Sequence, residues 1–138
     1  MNDKDISVAE VFCDQRTADV QHIINDHDFQ SLIIKPVYHS NIIELILSRM
    51  PLPPIIIKKT NETVTCIKGQ EIIDTIFLVM NDNIKVTSSL YPNIDGIYGE
   101  LTLQNRRKIS ETRLKYYIMT GTEDSVDYIL NLYNKIKW

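Results

Sequence analysis

An α+β fold with a small mixed sheet and packed helices is expected for this sequence, on three grounds. The first is a run of β-branched residues, Ile55, Ile56 and Ile57, directly after Pro53 and Pro54. Such a run marks a strand with a sharp start. The second is Gly69. Before it Val64 and Cys66 alternate with Thr65 and Ile67; after it Ile72, Ile73, Ile76, Phe77, Val79 and Met80 recur at spacings of three and four. The period changes from two to about 3.6 across one glycine, so a strand hands over to a helix there. The third is that strand-like and helix-like stretches alternate along the whole chain, as helices packed on a sheet require.

Composition sets the frame. The 138 residues suit a single domain, 1–138, with residues 1–5 expected as a flexible tail. Hydrophobic residues make up 43% and charged residues 24%, which excludes a disordered chain. A net charge of −3 and a pI near 5.6 argue against nucleic-acid binding over the whole surface, while leaving room for a local basic patch. Cys13 and Cys66 match no metal spacing and fit a reducing setting. The apolar runs are shorter than a membrane span and the first ten residues carry no signal-peptide pattern. A cytoplasmic protein without a membrane partner is expected.

The elements follow in order. Ile6, Val8, Ala9, Val11 and Phe12 read as a short helix or strand, with Ser7 as a cap favouring the helix. Asp14-Gln15-Arg16 is polar and expected at the surface. Val20, His22 and Ile24 alternate with Gln21 and Ile23 and suggest a short strand; Asn25-Asp26-His27-Asp28 is a turn cluster. His22 and His27 are five apart and share neither a helix face nor a strand face, so a solvated loop is preferred to a metal site. Pro36 stops an apolar run at 32–34. Ser40 is placed to cap a helix over 41–50 that buries Ile42, Leu45, Ile46 and Leu47 and turns Glu44 and Arg49 to water; Pro51, Pro53 and Pro54 end it. Thr60, Asn61 and Glu62 suit the turn between two strands.

Beyond the central helix, Asn81-Asp82-Asn83 is a turn, Ile84 and Val86 suggest a short strand, and 88–99 is a loop with Tyr91 and Tyr98. Residues 101–112 read as an exposed helix carrying Arg106, Arg107 and Lys108, a solvated face or one that meets an anion. Residues 114–119 read as a buried strand. A last helix starts at Asp124 or Ser125, with Val126, Ile129, Leu130, Tyr133 and Ile136 on one side.

The chemistry is expected at Gly69. The first N–H groups of a helix lack intrahelical partners and carry the positive end of its dipole, and a glycine lets a phosphate approach the backbone. The plainer reading is that Gly69 only permits a positive φ.

The order of these pieces, over residues 6–134, resembles the N-terminal domain of the GmrSD-type modification-dependent restriction endonucleases, which has a ParB/sulfiredoxin-like fold. Phe29-Gln30-Ser31 stands where that family has Phe-Gln-Arg, and Lys68-Gly69-Gln70-Glu71-Ile72 stands where it has DGQQR. Gly96-Ile97-Tyr98-Gly99-Glu100-Leu101 and Leu130-Asn131-Leu132-Tyr133-Asn134 look like its later segments. The resemblance implies a nucleotide pocket built on Lys68, Gly69, Gln70, Glu71 and Gln30, and a nucleoside triphosphate with Mg2+ as its ligand.

The departures change what is implied. Lys68 replaces the motif's acid, Glu71 its second glutamine and Ile72 its arginine, and Ser31 replaces the earlier arginine. An acid that holds metal or water and an arginine that neutralises phosphate are both gone. The expectation is a stand-alone, catalytically inactive relative with no catalytic residue and no metal ligand. It would act as a binding or regulatory protein in a phage, plasmid or defence context, with another protein of that system as partner. Two alternatives stay open. One is an active nucleotide-dependent nuclease component using Lys68, Gln70 and Glu71. The other is a nucleic-acid-binding adaptor using Arg106, Arg107 and Lys108 with Tyr91 or Tyr98.

Overall fold

A computed structural model describes residues 11–61 and 63–136. The chain runs β1 (Phe12–Asp19), α1 (Val20–Ile24), α2 (His27–Gln30), α3 (Ser40–Leu47), β2 (Ile55–Thr60), β3 (Thr63–Lys68) and α4 (Gln70–Met80). It continues through β4 (Val86–Thr87), β5 (Asp95–Gly96), a 3-10 turn at Tyr98–Glu100, α5 (Leu103–Ser110), β6 (Arg113–Thr120) and α6 (Glu123–Asn134). The fold is α+β. Four strands form a mixed sheet in the order β1-β6-β2-β3, while β4 and β5 form a separate two-stranded ribbon.

Burial explains the central strands. β2 lies between β6, to which it is parallel, and β3, to which it is antiparallel. A central strand is covered on both faces, so its sequence need not alternate. Ile55 and Ile57 pack with Leu114, Tyr116 and Ile118 of β6 into the larger core, beneath α1 to α5. Ile56 and Met119 face the other way and pack against Val126 and Leu130 of α6. The β3 alternation holds: Val64 and Cys66 join the larger core and Ile67 the smaller. Lys58, on the α6 side, ties the last helix to the sheet through Glu123 and Asp127, and the Thr60 hydroxyl donates to Glu123 at 2.8 Å.

Several expectations are corrected. Residues 20–24 form a helix, not a strand. Asp19 accepts the His22 N–H at 2.7 Å, and this cap ends β1 and starts α1. Asp14-Gln15-Arg16 is exposed as expected, but it forms the middle of β1. Asp26 caps a second short helix where a plain turn was expected. α3 starts at Ser40 itself, with His39 as the cap residue, and ends at Leu47. Ile43 is fully buried on it, while Leu45 is half-buried. α6 starts at Glu123, one residue ahead of Asp124, the earlier of the two expected starts, with Thr122 as its cap, and Ile136 lies beyond its end and is exposed. The tail at 1–5, the apolar residues Ile6, Val8 and Ala9, and Glu62 lie outside the described residues. Among the described residues no helix is long and apolar enough to cross a membrane.

Candidate functional site

The corner at Gly69 forms as the change of period requires. Gly69 has φ +91°, and a Cβ there would lie 2.9 Å from Ile55 Cγ1, so both conformation and packing demand glycine. Its carbonyl accepts the N–H groups of Ile72 and Ile73 at 3.0 and 3.2 Å, starting α4.

Gln70, Asp74 and Thr75 on the first turns of α4 point inward. The Gln70 amide donates to the Ile33 carbonyl at 3.2 Å and to Asp74 Oδ1 at 2.7 Å. Asp74 is buried and also accepts the Lys35 N–H at 2.9 Å, while Thr75 Oγ1 accepts the His39 N–H at 3.2 Å. These contacts fasten segment 33–39, which has no regular structure of its own, onto α4. Gln30 lies outside this network and donates to the Ile24 carbonyl at 3.1 Å, beside the end of α1. Lys68 leans over the Tyr133 ring, 5.7 Å from its centre. Glu71 is exposed. The Cys66 thiol is pushed up to about 11 by burial first and then by Asp74 and Glu71.

The basic trio on α5 is divided by helix geometry. Three consecutive residues point about 100° apart and cannot share one face. Arg106 turns partly inward, and its Nε is buried without a hydrogen-bond partner. Arg107 and Lys108 instead meet Arg49 and Arg113 around an open hollow of about 340 Å3. Three chain segments converge there. Arg49 follows the end of α3 with φ +60° and donates its N–H to the Ile46 carbonyl at 3.1 Å. Arg107 and Lys108 sit in the last turn of α5, and Arg113 opens β6. The C-terminal ends of α3 and α5 carry the negative ends of their dipoles, which favours cations there. The lining carries these four cations against one acid, Glu111, 3.8 Å from Arg107.

Lys108 also borders a second hollow of about 400 Å3, lined by Tyr91 and the amides of Asn93, Gln104 and Asn105. Its ammonium lies 5.1 Å from the centre of the Tyr91 ring. Tyr91 is placed by the loop from Ser88, whose hydroxyl accepts the Tyr91 N–H at 3.0 Å. That loop is held by Glu44, which accepts the Ser88 hydroxyl and the Ser89 N–H, each at 2.7 Å. These bonds hold the Glu44 carboxyl below its ordinary range. Of the residues suggested by sequence, the structure brings together Arg107, Lys108 and Tyr91. It adds Arg49 and Arg113, which no local pattern marks. Among the described residues no three His, Cys, Asp or Glu side chains are grouped so as to hold a metal.

No protein-family model, no curated protein and no solved structure matches the chain.

Proposed function

We propose that this chain is a non-catalytic binding protein whose ligand is a short stretch of single-stranded nucleic acid, held by its phosphates in the basic hollow. We further propose that it is a degenerate stand-alone relative of the GmrSD N-terminal domain, serving a phage, plasmid or defence system. The observation that carries the binding reading is the convergence of Arg49, Arg107, Lys108 and Arg113 on one hollow. Guanidinium groups bind phosphate oxygens in a fixed fork, and a concave cluster holds the backbone without needing a net positive chain. The adjoining hollow supplies what bases need: an aromatic ring at Tyr91 and amides at Asn93, Gln104 and Asn105. Such groups reach base edges when bases are unpaired and splayed outward. The degenerate motif supports the absence of hydrolysis: Ile72 is buried where a phosphate-facing arginine would stand, and Gln70 is bonded inward to Ile33 and Asp74.

Fluorescence anisotropy with labelled single-stranded and duplex oligonucleotides across a salt series tests this. Four cations limit the footprint, so the expected slope of log K against log salt on a single strand is about −3. Arg49→Glu and Arg113→Glu together should weaken binding at least about tenfold; because Arg113 stands opposite Asp19 and donates to the Thr17 carbonyl, the pair should also cost about 1 kcal/mol of stability by urea unfolding. Absence of binding at low salt, or binding indifferent to this double reversal, would sink the reading. Thermal shift with nucleoside triphosphates and Mg2+ checks the competing site: a shift that survives the reversal and disappears with Gln70→Ala would locate binding at the corner.

A further inference from the structure

Among the described residues the sheet's outer strands are β3 and β1, and β1 is the less guarded. Outer strands present unpaired N–H and C=O groups, and proteins blunt them with bulges, lysines or prolines. β3 meets β2 with a register shift at Ile56/Ile57 and ends in Lys68. β1 has no bulge, Lys or Pro, and the charges in its exposed stretch are Asp14 and Arg16, which offset one another. Its eight residues, FCDQRTAD, contain no Pro or Lys, and all eight pair with β6 in one unbroken register from Phe12↔Thr120 to Asp19↔Arg113. Its first six residues are exposed, and among the described residues no strand lies on its outer side.

The middle of β1 is its own electrostatic complement. Asp14 and Arg16 flank Gln15 and point to the same face of the strand, 2.7 Å apart, each about half exposed. When two such strands run antiparallel about a two-fold axis at Gln15, Asp14 of each copy lies opposite Arg16 of the other. Directly opposed unlike charges stabilise a strand pair, and opposed like charges destabilise it. The same register sets Phe12, 65% exposed in one copy, opposite Ala18 of the other. An exposed ion pair within one chain contributes little, so sharing these charges across a seam costs little.

We propose that two copies of this chain pair edge to edge through β1, antiparallel about Gln15, joining two four-stranded sheets into one. The partner is a second copy because the charge order of this strand is complementary to itself when reversed. The interface is isologous and closes on itself, which is the commonest form of homodimer.

Light scattering after size exclusion, from micromolar to submillimolar protein, gives the first reading, and a dimer is expected. Asp14→Arg alone sets Arg against Arg, and Arg16→Asp alone sets Asp against Asp; each should raise the dimer Kd about tenfold or more. The double variant Asp14→Arg/Arg16→Asp restores unlike pairs and should dimerise like the wild type. Mixing the two single variants should give a heterodimer, which also shows that each has folded. A wild type that stays monomeric throughout overturns the proposal. So do single reversals that leave dimerisation unchanged, and a double variant that stays monomeric.

Discussion

The Gly69 corner and the hollow beside Lys108 both gather polar side chains at a helix end, and they use them in opposite ways. At the corner the polar groups are bonded within the fold, Gln70 and Asp74 to one another and to the backbone at Ile33 and Lys35. At the hollow Arg49, Arg107, Lys108 and Arg113 surround an open space, and their internal partners are few: Glu111 lies 3.8 Å from Arg107 and the Thr17 carbonyl accepts from Arg113 at 3.4 Å. Internally satisfied polar groups specify a fold, whereas converging charges open to solvent are available to a ligand. A motif position therefore reads differently once its hydrogen bonds are traced.

Variants that separate stability from binding test this contrast. Gly69→Ala should do the most damage. It forces a Cβ into the positive-φ region and within 2.9 Å of Ile55 Cγ1, for a loss of about 3 kcal/mol and a fall in Tm of about 10 °C. Asp74→Ala comes next. It leaves the Lys35 N–H and one Gln70 bond unmade in a buried site, for a loss of about 2 kcal/mol by urea unfolding. Both variants should keep oligonucleotide affinity at temperatures where they remain folded. If Asp74→Ala abolished binding while leaving stability intact, the two regions would no longer differ in kind.

A milder change is expected at the loop that carries Tyr91. Glu44 is held below its ordinary value of 4.5 by its bonds to Ser88 and then Ser89, and Glu123 likewise by Lys58 and then Thr60. Because the folded state favours the ionised carboxylates, their contribution is present above about pH 4.5 and is lost as pH falls through the lower folded value. Glu44→Gln should therefore have a lower Tm than the wild type at neutral pH, with a shallower fall below pH 4.5 so that the difference shrinks in acid. An identical slope in both proteins would mean that Glu44 does not hold this loop.

Much of the fold was legible because burial writes periodicity into sequence. β2, β3, α4, β6 and α6 each bury one face or two, and their isoleucines, valines and tyrosines recur accordingly. β1 was not legible: six of its eight residues are exposed, so no apolar alternation marks a strand made by pairing with β6. Val20, Ile23 and the half-buried Ile24 satisfy a strand pattern and a short helix alike, and the Asp19 cap decides between them.

The strand-turn-strand-glycine-helix unit at 55–80 is written locally, because three β-branched residues, a turn and a positive-φ glycine are requirements of the backbone nearby. Local pattern also places the basic residues on α5. Which of them act together is a matter of packing. Helix rotation separates Arg106 from its neighbours, and the folded chain brings Arg49 and Arg113, distant in sequence, to Arg107 and Lys108. Proximity of that kind depends on how the ends of α3, α5 and β6 meet, and no local spacing encodes it.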